Sequence, residues 1–88
     1  MVVPRISAFY GIVITMYYAD HSPPHFHAQY GEFHAQIEIA SGRILNGHLP
    51  NRAAQLVDEW CRLRQGELVT DWDLAIAERP LIRIDPLP

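Results

Sequence analysis

Two stretches of alternating polar and apolar residues meet at Gly31-Glu32, and this feature limits the possible fold more than any other. Residues 24–30 and 33–39 both read as strands, and a two-residue connection with glycine first is what a type II′ hairpin turn requires. Counting outward from that turn, Tyr30 opposes Phe33, His27 opposes Gln36 and His25 opposes Glu38. Phe26, Ala28, Tyr30, Phe33, Ala35, Ile37 and Ile39 then share one face. His25, His27, Gln29, His34, Gln36 and Glu38 share the other. A two-residue shift of the turn leaves both faces intact, whereas a three-residue loop scrambles them, so the segregation supports the tight turn.

The remaining elements follow from local patterns. Residues 5–18 are rich in β-branched and aromatic types and read as extended, with Gly11 marking a bulge, a bend or a break between two strands. Ala19 to Pro24 is a loop, because Pro23 and Pro24 exclude helix and remove ladder donors. Arg43-Ile44-Leu45 begins another short strand before Asn46-Gly47. A helix enters through Leu49-Pro50-Asn51, with apolar positions Ala53, Ala54, Val57, Trp60, Cys61, Leu68, Trp72 and Ala75 at helical spacing. Gly66 interrupts that series, which predicts either two helices or one helix bent there, ending before Pro80. Leu81 to Ile84 is either a short strand or a tail docked on a sheet edge or on another chain.

Strands followed by helix give an α+β fold over residues 1–88, a single domain: a small antiparallel sheet of three to four strands, packed on one face by a C-terminal helix or bent helix pair. The apolar face of the hairpin must meet the helix. Its histidine face is then expected to look toward solvent, a partner or a ligand.

Composition narrows the class of function. Seven basic residues, all arginine, stand against ten acidic ones for a net charge of −3, and neither half of the chain is basic. That balance argues against a free-standing nucleic-acid-binding domain, although folding can still gather a local arginine patch. The apolar run Ala8 to Tyr18 is too short to span a bilayer and lacks the flanks of a signal peptide. A single cysteine, Cys61, at an apolar helical position, is expected to be a buried hydrophobe in a protein of the cytoplasm. Trp60, Trp72 and Met16 are expected in the core. An aromatic stripe of Tyr10, Tyr17 and Tyr18 lacks the interleaved basic residues that base stacking on single strands calls for.

The chemistry of the chain is concentrated in histidine. There are five, and His21, His25, His27 and His34 fall within the hairpin and the loop before it. His25 and His27, two apart on a strand, point the same way with side chains roughly 6–7 Å apart. Two such imidazoles begin a metal site, zinc first, for which His34, Glu38, His21 and Asp20 are candidate third ligands. No cofactor is assured by the sequence. Without metal, His25 and His27 form a general acid and base pair, and Arg5 or Arg43 supplies a charge if folding brings one alongside. The simplest alternative is a solvated polar face in which His25 and Glu38 make a cross-strand contact and His48 is incidental.

Pro4-Arg5-Ile6-Ser7-Ala8-Phe9-Tyr10-Gly11, Met16-Tyr17-Tyr18-Ala19-Asp20-His21 and above all Pro23-Pro24-His25-Phe26-His27-Ala28 resemble the small bacterial proteins of domain-of-unknown-function family 4160. Gly47-His48-Leu49-Pro50 and Trp72-Asp73-Leu74-Ala75 extend the likeness over nearly the whole chain. The resemblance carries Pro23, Pro24, His25 and His27 as motif positions without assigning them a role. It implies a component of a two-gene, toxin–antitoxin-like module, acting through protein–protein contact with a small cognate protein encoded next to it. The binding surface is then expected around Pro23, Pro24, His34, Gln36 and Glu38, and a homo-oligomer also fits. The alternative is a small hydrolase, ribonuclease-like or a metal-dependent phosphodiesterase, with His25 and His27 catalytic and His34 completing a metal site.

Overall fold

The computed structural model describes residues 4–88. Five strands come first: β1 (Arg5–Phe9), β2 (Ile12–Thr15), β3 (His25–Tyr30), β4 (Phe33–Glu38) and β5 (Ile44–His48). Two helices follow, α1 (Asn51–Leu63) and α2 (Gln65–Ile76). The strands form one antiparallel meander in chain order, so the sheet has five strands where the sequence pattern indicated three to four.

The two edges of the sheet account for the difference. Of the three readings open at Gly11, the break between two strands is the one found, in the form of a hairpin turn: Tyr10 and Gly11 have φ of 50° and 81°, and Phe9 pairs directly with Ile12. Such a two-residue turn is read easily with asparagine or aspartate before the glycine, and poorly with tyrosine. At the other edge, β5 runs through Asn46-Gly47 instead of ending there. Gly47, at φ 85°, lies against β4 so closely that a Cβ would sit 2.2 Å from the His34 carbonyl oxygen. A residue that looks like a turn is therefore a point of close strand approach.

The central hairpin keeps the register read from the sequence, with Tyr30 against Phe33, His27 against Gln36 and His25 against Glu38. Its turn has Gly31 at φ 59°. Phe26, Ala28, Ala35, Ile37 and Ile39 are buried with Ile12, Ile14 and Met16 against Ala53, Val57, Trp60 and Cys61 of α1 and Leu68, Trp72 and Ala75 of α2. Trp60 anchors this core, its ring 5.5 Å from Phe26 and 5.3 Å from Phe9. Truncating a wholly buried tryptophan costs about 3–5 kcal/mol. Cys61 is buried as expected, and burial pushes its thiol up to about 11.

The helical stretch breaks at Arg64 (φ −112°, ψ 26°), two residues before the glycine that was expected to break it. Gly66 lies inside the first turn of α2. Beyond α2 the chain forms no strand, but it lies along the free edge of β1: the Ile84 N–H donates to the Ile6 carbonyl at 2.7 Å. Trp60 Nε1 donates to the Asp85 carbonyl at 2.9 Å, which ties the same tail to α1. No helix among the described residues is long and apolar enough to cross a membrane.

Candidate metal centre

The segment between β2 and β3 decides the fate of the histidine face. It leaves the sheet after Thr15 and is fastened to the end of α2 by the Ala19 N–H, which donates to the Ala75 carbonyl at 3.1 Å. Ala19 adopts φ 52°, a left-handed conformation that costs an alanine roughly 1 kcal/mol and reverses the chain. Asp20 is thereby turned back over the strand. His25 and His27 retain only 4% exposure each, so of the surroundings expected for the histidine face (solvent, a partner or a ligand) open solvent is removed for these two. Tyr17 stacks on the His27 ring at 4.1 Å and 12°, and Trp72 stands 5.5 Å from His25.

Under that cover the ligand atoms converge. Asp20 Oδ2 is 3.0 Å from His25 Nε2 and 3.7 Å from His27 Nε2. One ligand atom from each of Asp20, His25 and His27 lies within 4.8 Å of the others, a group that could hold a metal ion. The His25–Asp20 separation is within ion-pair range, yet neither Nε2 is aligned for a hydrogen bond, and both are buried without a partner. On the outer side each ring is held. His25 Nδ1 is 2.8 Å from the Pro23 carbonyl, which can only accept, so this nitrogen carries the proton. His27 Nδ1 is 3.1 Å from His34 Nε2.

The electrostatics fit a site with an anionic carboxylate and a neutral imidazole. Burial pulls the Asp20 carboxyl upward, but the His21 backbone N–H and the His25 and His21 rings outweigh it and hold the group below its usual range. Burial, reinforced by His25 and His34, lowers His27 in spite of Asp20 beside it. Protonating His27 is thus opposed by its surroundings.

The other residues singled out from the sequence are distributed around this cluster. His34, expected as a third metal ligand, lies outside the converging group of Asp20, His25 and His27, with its Nε2 3.1 Å from His27 Nδ1. Glu38 lies opposite His25 in register, but its carboxylate accepts from Ser41 Oγ and makes no hydrogen bond or ion pair with the ring. Gln36 opposes His27 and is half-buried. Pro23 supplies the carbonyl that orients His25, and the Pro24 carbonyl accepts from the Ile39 N–H. Arg5 is brought onto the histidine face, because it pairs with Thr15 and Thr15 pairs with His27. Sequence reasoning missed Tyr17 as the lid of His27; the signal available was an aromatic two residues beyond the strand residue that opposes His27.

A family model, described as a domain of unknown function (DUF4160), matches residues 11–73. The chain belongs to the DUF4160 family. Asp20, His25, His27 and His34 all fall inside the matched span, as do Pro23 and Pro24. Searches of curated proteins and of solved structures returned no significant match to this DUF4160 protein.

Proposed function

We propose that this DUF4160 protein is a small metal-dependent hydrolase whose ion, zinc in the first instance, is held by Asp20 Oδ2, His25 Nε2 and His27 Nε2. One observation carries the reading: two buried imidazole nitrogens without hydrogen bonds converge on a single carboxylate oxygen. The Pro23 carbonyl accepts a hydrogen bond from His25 Nδ1–H and leaves the Nε2 lone pair facing inward. His34 does the same for His27 when its Nε2 accepts. Outer partners of this kind fix the tautomer and orientation of metal-bound histidines. Tetrahedral zinc, with bonds of about 2.0–2.1 Å, sets its ligand atoms roughly 3.3 Å apart. The separations of 3.0 and 3.7 Å bracket that figure.

Three protein ligands leave a fourth position for water, and zinc lowers the pKa of such a water to about 7. The sheet beside the cluster suits an anionic substrate. A groove of about 380 Å³ is lined by Arg5, Gly11, Val13, Thr15, Gln29 and Gly31. Arg5 offers a charge to a phosphodiester, and Thr15 and Gln29 offer hydrogen bonds.

Titration of untagged protein with zinc against a chromophoric chelator tests this directly. One zinc per chain is expected, abolished by His25→Ala and by Asp20→Asn, with zinc-dependent hydrolysis of bis(4-nitrophenyl) phosphate that Arg5→Ala weakens. Protein that takes up no zinc, manganese or nickel ends the reading.

For partners, we propose that the protein works in the cytoplasm beside a small cognate protein, as one half of a toxin–antitoxin-like pair. Strand β5 supports this. It carries no charged residue, its outer edge is unpaired among the described residues, and Ile44 and Leu45 are exposed on it. An uncharged open edge of this kind accepts an added strand. Co-purification of the neighbouring gene's product, lost when a proline replaces Leu45, is the expected result.

A further inference from the structure

The apolar face of the central hairpin runs further than the helices that cover it. Phe26, Ala28, Ala35 and Ile37 are at most 1% exposed, whereas Tyr30 and Phe33, at the turn end of the same face, are 39% and 37% exposed. The cover stops where α1 begins: Ala53, in its first turn, is buried, and Arg52 beside it is exposed. Tyr10, in the β1–β2 turn, is also exposed. The Tyr30 ring lies along that turn, 3.3 Å from where a Cβ on Gly11 would stand. Tyr30 is five residues from His25 along β3 and points to the opposite face, so this region has no part in the metal cluster.

The overhang encloses a slot of about 260 Å³. Tyr10 and Tyr30 form its walls, Ile12, Ala53 and Leu56 its floor, and Arg52 is its one charged lining residue. That volume is below the range that encloses a whole drug-sized ligand, and it suits the side chains of a docked peptide. The C-terminal tail shows how donors in this part of the molecule treat a proline-rich chain. Before its last prolines the tail is held through backbone N–H groups, Ile82 to the buried Asp71 carboxylate at 2.9 Å and Ile84 to β1. Pro86 and Pro88 have no N–H to give, and their carbonyls are bound instead. That of Pro86 accepts from Arg64 Nη2 at 3.4 Å, and that of Pro88 from the Tyr10 hydroxyl at 2.9 Å. One wall of the slot therefore already holds a prolyl carbonyl, while no residue of the tail lines the slot itself.

We propose that this slot docks a proline-rich segment of a partner protein, with a prolyl ring between Tyr10 and Tyr30 and an acidic residue of the segment against Arg52. A polyproline II chain makes no internal hydrogen bonds, so its carbonyls stand free for tyrosine hydroxyls, and its rings fit aromatic-lined grooves. Tyrosine offers both parts, an apolar ring and a polar tip. Charge complementarity supplies the acid: no carboxylate lines the slot to answer Arg52. The site needs neither the metal centre nor the open edge of β5.

The test is an amide NMR titration of the full chain with the capped peptide acetyl-Asp-Pro-Pro-Leu-Pro-Pro-Asp-amide, beside the same peptide with alanine for every proline. Saturable shifts at Gly11, Tyr30, Arg52 and Ala53 are expected, with an affinity about tenfold higher for the proline peptide, whose bound form is pre-organised. Tyr10→Ala, at an exposed turn position, should abolish the binding. Arg52→Glu should weaken the acidic peptide about tenfold, and a peptide with arginine for both aspartates should recover the loss on that variant. Because both changes lie on the surface, the unperturbed amide spectrum of the core reports that each variant is folded. Equal binding of the proline and alanine peptides, no saturable shift with either, or failure of the charge exchange overturns the proposal. Shifts at the same four residues on concentrating the protein alone also overturn it, by giving the slot to a second copy of this chain.

Discussion

Asp20 and Asp71 are the same functional group withdrawn from water in two regions of one small domain, and their surroundings drive them in opposite directions. Asp20 sits above three histidine rings and accepts a backbone N–H, so its carboxyl is held below the usual range against the pull of burial. Asp71 has one backbone N–H for company and Glu67 nearby. Burial pushes it up, the Ile82 N–H only partly opposes this, and Glu67 adds to the rise. Asp20, with its side chain 16% exposed, is the less enclosed of the two and is held toward its anion, whereas Asp71, 1% exposed, is pushed toward its neutral form. What separates them is the company within reach, a backbone N–H and three imidazole rings for Asp20 against a single backbone N–H and the nearby Glu67 for Asp71.

That contrast can be broken most decisively by removing a ligand at the first site. His25→Ala should lower zinc affinity at least about a thousandfold, read by chelator competition. It should also erase the stabilisation by zinc, about 2.7 kcal/mol at a hundredfold excess over Kd, read by urea denaturation. Next in size is a sign test on the metal-free protein at neutral pH. Asp20→Asn should destabilise by about 1–2 kcal/mol, because it discards a carboxylate its neighbours favour, whereas Asp71→Asn should be neutral or stabilising by up to about 1 kcal/mol. Matching signs would show that the two environments do not differ in the way their contacts imply.

Acid titration sharpens the same point. A depressed carboxyl contributes stability above its unfolded value of 3.8, and that contribution is lost as the pH falls through the folded value, as for Asp20. The raised Asp71 behaves inversely: its contribution is complete below 3.8 and is lost as the pH rises through its folded value. His27, depressed by burial, resists protonation that the unfolded chain accepts below 6.5, so the metal-free fold should weaken as the pH drops under that value. His27→Gln should flatten this segment of the stability profile, measured by urea denaturation between about pH 5 and 7. The smallest effect belongs to Tyr17→Ala. Loss of the stacked ring should cost about 0.5–1 kcal/mol and let the His27 pKa, followed by NMR, move back toward its ordinary value.

The hairpin register was legible because a period of two and a glycine-first turn specify it without help from the rest of the chain. The α+β order and the buried roles of Trp60, Trp72, Met16 and Cys61 were legible for the same reason, being properties of local spacing. Burial of His25 and His27 was not. It depends on a loop that folds back and is fastened to α2 through main-chain atoms, Ala19 N–H to the Ala75 carbonyl, which leave no trace in side-chain pattern. Asp20 was visible as one of several candidate ligands, and only the left-handed Ala19 promotes it over His34. Asp71 did leave a signal that went unread: an acid beside Trp72, inside the apolar stripe of Leu68, Trp72 and Ala75.

The tail hydrogen-bonded along β1 also sets how far this sheet can grow. With Ile84 bonded to one edge and β5 without a strand on its outer side, the sheet has a single growing end among the described residues. Two copies that join through β5 exhaust each other's free edge, and the assembly stops at a pair. Strip the tail away and each molecule presents two sticky ends, which is the arithmetic of a fibre.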